Sequence, residues 1–394
     1  MCRKVIVPFL IISMLSSIPC HARLGQKKDT TGVRSSGNQA VIKNVFVAKK
    51  PGKFYGWPAN GGVWIWGDEI LVGIHEGDFI DIDCSHSCGG KGRGVLARSL
   101  DGGENWSIED PENFVGDEGQ ITTCPGGINF QHPDFAMRLN WTEFYISYDR
   151  GKTWQGPYKL PDFKIGQPLT ARTDYLISGP SECMFFLSVR DENVHASERD
   201  RAFCARTTDG CKNFEFMSWI VSDNITVRSV MPSTVRISDN HLVSALRRRY
   251  DIDITESRKI PNCWIDVYES KDNGRTWGFL SMVANTGKSN GNPPSMVRLR
   301  DGRLVVTYGV RSVCSRYYYR PEPQGIFARI SKDNGQTWGN EIVLRDDAMK
   351  WDLGYTRSVQ RLDGKIVTIY YFNTKENTEE FIAATIWDPD AVRK

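Results

Sequence analysis

Neither sign of charge dominates this chain of 394 residues: 50 lysines and arginines stand against 47 aspartates and glutamates, a formal net charge of +3. That balance excludes a nucleic-acid or membrane-surface protein recognisable by bulk charge, and leaves an acidic small ligand to a local cluster of arginines. No low-complexity block runs through the body, and 40% apolar with 25% charged residues is a globular composition, so disorder is not expected. The apolar run Val5 to Leu15 is too short for a comfortable membrane span. It follows Cys2-Arg3-Lys4 and leads through small residues to Cys20-His21-Ala22, the layout of a secretory signal. Residues 1–22 are therefore expected to be a signal peptide and 23–41 a flexible leader, with a secreted, periplasmic or cell-surface destination.

Cleavage at that point leaves eight cysteines: Cys84, Cys88, Cys124, Cys183, Cys204, Cys211, Cys263 and Cys314. An even number in an exported chain permits disulfides without fixing their pairing. The segment Asp81-Ile82-Asp83-Cys84-Ser85-His86-Ser87-Cys88 looks like a metal loop. A closed zinc site needs four well-placed ligands, and a local or distant disulfide suits export as well, so neither a metal nor another cofactor is expected.

What the chain has in abundance is an internal repeat. Five segments share Ser or Thr, any residue, Asp, any residue, Gly, two residues and an aromatic: SLDGGENW at 99–106, SYDRGKTW at 147–154, TTDGCKNF at 207–214, SKDNGRTW at 270–277 and SKDNGQTW at 331–338. The third is degenerate, with Cys211 in the glycine place. Asp101, Asp149, Asp209, Asp272 and Asp333 recur 48, 60, 63 and 61 residues apart, a period expected of propeller blades. In such a turn the Asp caps backbone N–H groups, the Gly supplies a positive φ and the aromatic packs back over the turn. The five aspartates are thus structural, on turns away from any central pocket.

Steps before proline at Trp57, Cys124, Gln167, Met231 and Pro293 mark the starts of five blades, and Tyr355 occupies the same column in a sixth that lacks the repeated turn. Six four-stranded blades account for residues 42–390, an all-β, six-bladed β-propeller.

The repeated turns and their spacing resemble the sialidase superfamily, whose Asp-boxes are also called bacterial neuraminidase repeats. The resemblance covers nearly the whole chain after the leader. It implies a central pocket built from first-strand starts and second-strand ends, in which three arginines hold the sugar carboxylate, a Tyr with a Glu partner is the nucleophile and an Asp is the acid and base. By blade position Arg247 and Arg311 match two of the arginines and Tyr355 the nucleophile. The acid lies in the first-blade loop, here Gly77 to Gly92, which offers Asp78, Asp81 and Asp83.

Two positions depart from that pattern. Gly56 stands where the first arginine belongs, and Met231 where the glutamate belongs. Without that carboxylate a phenol whose reference pKa is about 10 has no evident general base. Arg172, Arg190 and Arg357 are substitute cations on the same face, and His75 with Glu76 ends the second strand of blade one. An Arg-rich pocket with a His and a Tyr suits recognition of a carboxylate sugar through bidentate hydrogen bonds. The expected partner is an acidic glycan. Three readings stay open: an exo-acting sialidase-like glycoside hydrolase using Tyr355 with Asp81 or Asp83; a uronate-directed rhamnosidase or lyase with His75 and Tyr355 transferring protons; and a non-catalytic glycan-binding propeller. His132, in a first-hairpin turn, reads as structural; Trp57, Trp64 and Trp66 of blade one suit a sugar-stacking platform, while the alternation of two of them on one strand face fits the core between blades at least as well.

Overall fold

Short apolar or alternating runs separated by Asp-, Asn- and Gly-containing turns form antiparallel hairpins, and hairpins with two apolar faces must stack against others. The computed structural model describes residues 40–82, 84–111, 114, 120–222, 227–255, 258–312 and 324–392, all within one compact unit, Gly37–Lys394. They form a six-bladed β-propeller.

After β1 (Val41–Ala48), blade one comprises β2 (Lys53–Gly56), the single turn α1 (Pro58–Gly61), β3 (Val63–Trp66), β4 (Glu69–Phe79), β5 (Cys88–Ser99) and β6 (Ser107–Glu109). β2 and β3 both pair with β4, so they are two halves of an inner strand that α1 interrupts. Blade two has β7 (Ala136–Asn140), β8 (Glu143–Ser147) and β9 (Gln155–Lys159). Blade three has β10 (Tyr175–Ile177), β11 (Cys183–Arg190), β12 (Asp200–Thr207) and β13 (Glu215–Trp219). Blade four has β14 (Arg228–Arg236), β15 (Leu242–Thr255), β16 (Arg258–Ser270) and β17 (Gly278–Gly287). Blade five has β18 (Ser295–Arg298), β19 (Leu304–Val310), β20 (Gly325–Ser331) and β21 (Ile342–Arg345). Blade six has β22 (Gly354–Gln360), β23 (Ile366–Phe372) and β24 (Phe381–Trp387).

Two features differ from the expectation. The Cys124-Pro125 step opens no strand, and blade two has three strands among the described residues; Cys124, Ile128 and Phe130 pack into its core, and the backbone N–H groups of Ile128 and Phe130 donate to the carbonyls of Gly210 at 3.2 Å and Pro180 at 2.8 Å in blade three. The fourth strand of blade six is β1, which pairs with β24 from Val41↔Trp387 to Ala48↔Ile382. The start of the chain thereby closes the ring onto its end.

The five repeated turns have the geometry that their residues dictate. In the fourth, the Asp272 carboxylate accepts from the backbone N–H of Arg275 at 3.0 Å and Thr276 at 2.9 Å, while Ser270 Oγ accepts from Gly274 N–H at 2.8 Å. Cys211 takes the glycine conformation in the degenerate copy, at φ 68, and keeps the corresponding bond to Thr207 at 3.0 Å. The indole N–H of Trp277 donates to Ser218 of blade three at 3.1 Å, and that of Trp338 to Ser281 of blade four at 3.0 Å. In these two copies the turn fastens its blade to the outer strand of the preceding one.

Of the cysteines, Cys84 is disulfide-bonded; Cys88, Cys124, Cys183, Cys204, Cys211 and Cys263 are free thiols, five of them buried. Cys314 lies outside the described residues. Trp64 packs on Trp154 of blade two at 5.7 Å between ring centroids, in the core between blades. His132 packs on Tyr148 at 5.2 Å in its turn. Among the described residues no helix is long and apolar enough to cross a membrane.

Candidate active site

Three inner-strand positions carry a left-handed residue that is not glycine: Trp57, where α1 interrupts the inner strand, at φ 57, Met231 within β14 at φ 54 and Tyr355 at the start of β22 at φ 51. This conformation costs roughly 1–2 kcal/mol for an L-residue. At two of them the ladder register slips, between Val230 and Ser233 and between Gly354 and Arg357. A bulge of this kind bends the strand and re-aims a side chain. Trp57 and Tyr355 come to line a cavity of about 320 Å³ with Asn60, Ile74, His75, His86, Arg138, Asn140, Trp141 and Arg172.

Tyr355 is buried, and its hydroxyl takes a hydrogen bond from Arg247 Nη1 at 3.1 Å. The Arg247 and Arg311 guanidinium carbons lie 5.8 and 5.5 Å from its ring centre. Burial works to raise the Tyr355 phenol, but Arg247 and Arg311, with Arg228 behind them, outweigh it and hold the phenol below its ordinary value. Met231, in the expected glutamate place, supplies only its sulfur, 3.8 Å from Arg247 Nη1. Positive charge therefore lowers the phenol where, among the described residues, no carboxylate lines the cavity beside it.

This arrangement changes the part expected of the two arginines. Arg247 and Arg311 are fully buried and do not line the cavity. Arg247 Nη2 donates to the Asn290 carbonyl; Arg311 donates to the carbonyls of Leu353 at 3.0 Å and Gly291 at 3.2 Å, to Asp352 at 3.3 Å and to the Tyr371 hydroxyl. A buried guanidinium needs partners for its N–H groups, and here protein groups take most of them, while the Arg247 Nε–H finds none among the described residues. Arg247 is thereby committed to the Tyr355 hydroxyl, and Arg311 to Asp352 and the Tyr371 hydroxyl.

The remaining expected residues separate. Arg172 lines the cavity, donates to Asn60 Oδ1 at 2.9 Å and lies 4.4 Å over the Trp141 ring; burial pulls its guanidinium down to about 10 and leaves it cationic at neutral pH. His75 also lines it, 4.8 Å from the Trp57 ring. Arg190 instead binds Asp200 at 2.8 Å, and Arg228 holds the other carboxylate oxygen of Asp200. Arg357 is turned onto the carbonyls of Ala59 and Thr173, both at 2.6 Å, and bonds α1 to blades three and six. Asp81 is exposed and pairs with Lys350 at 2.7 Å, outside the cavity lining. Asp83 lies outside the described residues. Glu76 accepts from the Tyr55 hydroxyl at 2.7 Å and pairs with Arg93.

Arg138, Asn60, Trp141 and His86 escaped sequence reasoning. His86 belongs to the segment singled out as a metal loop, but its Nδ1 lies 2.8 Å from Asp352 of blade six. Among the described residues no group of three or more His, Cys, Asp or Glu could hold a metal ion. No described carboxylate lines the cavity, whose charged groups are Arg138 and Arg172.

The sequence model of the BNR repeat-like domain matches residues 121–368. No curated protein sequence matches significantly. Three solved structures share the fold at low identity. A Dyadobacter fermentans protein of unknown function superposes with a TM-score of 0.61 at 19% identity, over 88% of this chain and 98% of that one. A Penicillium chrysogenum α-L-arabinanase complexed with arabinobiose gives 0.56 at 14%, over 88% and 98%. A Trypanosoma rangeli sialidase mutant displaying trans-sialidase activity gives 0.53 at 12%, over 90% of this chain and 60% of that one.

Proposed function

Since the chain belongs to the BNR repeat-like domain family of sialidase-like β-propellers, we propose that it is an exported, exo-acting glycoside hydrolase that binds an acidic terminal sugar in the cavity beside Tyr355. The observation that carries this reading is the charge of the cavity: Arg138 and Arg172 line it, no described carboxylate does, and Tyr355 is held by Arg247 at 3.1 Å with Arg311 close by. A single sugar carboxylate fits a wall with two cations through charge-assisted hydrogen bonds. Trp141, stacked under Arg172, offers the sugar ring an apolar face.

In this reading Tyr355 is the nucleophile. Its phenolate attacks the anomeric carbon and displaces the aglycone oxygen, Arg247 and Arg311 stabilise the oxygen charge before attack, and water then hydrolyses the glycosyl intermediate and frees Tyr355. The arginines take over the activation for which Met231 is chemically unsuited. A second reading, a uronate-directed enzyme moving protons through Tyr355 and His75, draws support from the two histidines in a wall without a described carboxylate.

The test is a panel of aryl α-sialosides, aryl α-L-arabinofuranosides, aryl glucuronides and uronate polysaccharides, scored for released sugar, for unsaturated uronate and for binding. Release of an acidic monosaccharide supports the hydrolase. Unsaturated uronate supports the second reading, and binding without turnover sinks both.

A further inference from the structure

The segment Asp81–Cys88 carries a histidine that neither the repeat nor the expected acid explains. His86 reaches across from the blade-one loop to Asp352, just before β22 in blade six, with 2.8 Å between Nδ1 and Oδ1. Asp352 is fully buried. Burial works to raise its carboxyl, yet His86, Arg311 and Tyr371 hold it below the ordinary carboxylate range, so it is ionised at neutral pH. An ionised carboxylate can only accept, so the His86 Nδ1 carries a proton and Nε2 is the nitrogen left for the cavity that the ring lines. Trp57 at 5.2 Å and Trp351 at 5.9 Å fix the ring plane from two sides.

Arg311 connects this pair to Tyr355, since its guanidinium bonds Asp352 at 3.3 Å and lies 5.5 Å from the Tyr355 ring. Nearby, Glu380 feels the charges of Asp352 and Lys350, and Arg172 and Arg138 stand on other parts of the cavity wall.

The geometry points to His86 as the proton-transfer residue of the site, with Asp352 as its positioning residue, in place of the aspartate expected in the same loop. This rests on the hydrolase reading above. In the first half-reaction the Tyr355 oxygen bonds to the anomeric carbon while the bond from that carbon to the leaving oxygen breaks; the electron pair goes to that oxygen, and the His86 Nε2 proton follows it. In the second, a water oxygen bonds to the anomeric carbon, the bond to Tyr355 breaks and restores the phenolate, and the water's proton returns to Nε2.

The experiment compares the wild type with His86→Gln and Tyr355→Phe on two aryl glycosides of one sugar from the panel, one with a poor phenol leaving group and one with a good one. Loss of an acid costs about a hundredfold or more where the leaving oxygen needs a proton and little where it does not. His86→Gln is expected to lose that much on the poor leaving group and only a few fold on the good one, while Tyr355→Phe loses both. Equal losses of His86→Gln on the two, or no loss, overturn the assignment. Imidazole ¹⁵N–¹H correlation spectra give a readout without turnover: the neutral His86 ring is expected as the Nδ1–H form in the wild type and as the common Nε2–H form in Asp352→Asn. If the wild type cleaves nothing on the panel, the hydrolase reading fails, and the spectra still decide the pair. An Nε2–H ring in the wild type overturns it.

Discussion

At the scale of single residues, the chemistry rests on where buried charges find partners. Burial raises the Tyr355 phenol, and the arginines around it, Arg247 and Arg311 foremost, bring it below its ordinary value. Arg247→Met keeps most of the side-chain volume and removes the nearest cation, so Tyr355 should ionise at higher pH. The checks are an ultraviolet phenolate titration and the rising limb of the pH–rate profile, both displaced upward relative to the wild type. Arg172 lines the cavity, and in the proposed reading it faces the sugar. Arg172→Ala should weaken binding of an acidic sugar by about ten- to a hundredfold and binding of its carboxamide much less, read by calorimetry. Glu380 supplies a stability test: burial, with Asp352 nearby, pushes its carboxyl up to about 8. A folded value raised above the unfolded one, about 4.3, means that the neutral acid is the form the fold prefers. That preference is complete below the unfolded value and is lost as pH rises towards about 8. Thermal melts of the wild type and Glu380→Gln should therefore diverge over that interval, the variant gaining as pH rises. The strand-end position of Arg311 was legible in the sequence, whereas Arg247, expected to end its strand, lies within β15, which continues to Thr255. The destinations of their N–H groups were not legible, because Asn290, Gly291 and Asp352 come from other loops that no local pattern ties to them.

At the scale of elements, the repeated turn was the most legible feature, because capping by Asp, the Gly conformation and the packing Trp are all local in sequence. Asp272→Ala should cost on the order of 1 kcal/mol through lost capping, leaving turnover per folded molecule intact. Its carboxyl lies at about 2: slight burial acts upward, and the bonds from Thr276, Ser270 and Arg275 prevail. A folded value below the unfolded one, about 3.9, stabilises the fold above that pH and ceases to do so as pH falls through about 2. The melting difference between wild type and Asp272→Ala should shrink over that acid range; a constant difference would contradict the capping account. Blade two was misread at its start, because a proline step signals a turn but not the strand after it. Ile128 and Phe130 satisfy the core without a ladder.

At the scale of the whole molecule, the cavity draws Trp57 and His75 from blade one, Arg138 from blade two, Arg172 from the approach to blade three and Tyr355 from blade six, so it exists only while the ring is closed. Closure depends on β1, a strand in the part of the sequence that carries no copy of the repeat and pairs with a partner more than 300 residues away. Removing residues 40–48 should lower the melting temperature and abolish sugar binding together; binding that survives would place the site elsewhere. Hydrolysis by the proposed route requires Tyr355 to form a bond to the sugar. Incubation of the wild type and Tyr355→Phe with a fluorinated glycosyl fluoride of the acidic sugar that the panel identifies, followed by peptide mass spectrometry, addresses this directly. The expected result is a glycosyl adduct on the peptide that carries Tyr355, absent from Tyr355→Phe along with turnover; an adduct on another residue, or a Tyr355→Phe variant that still turns over at the wild-type rate, would contradict it.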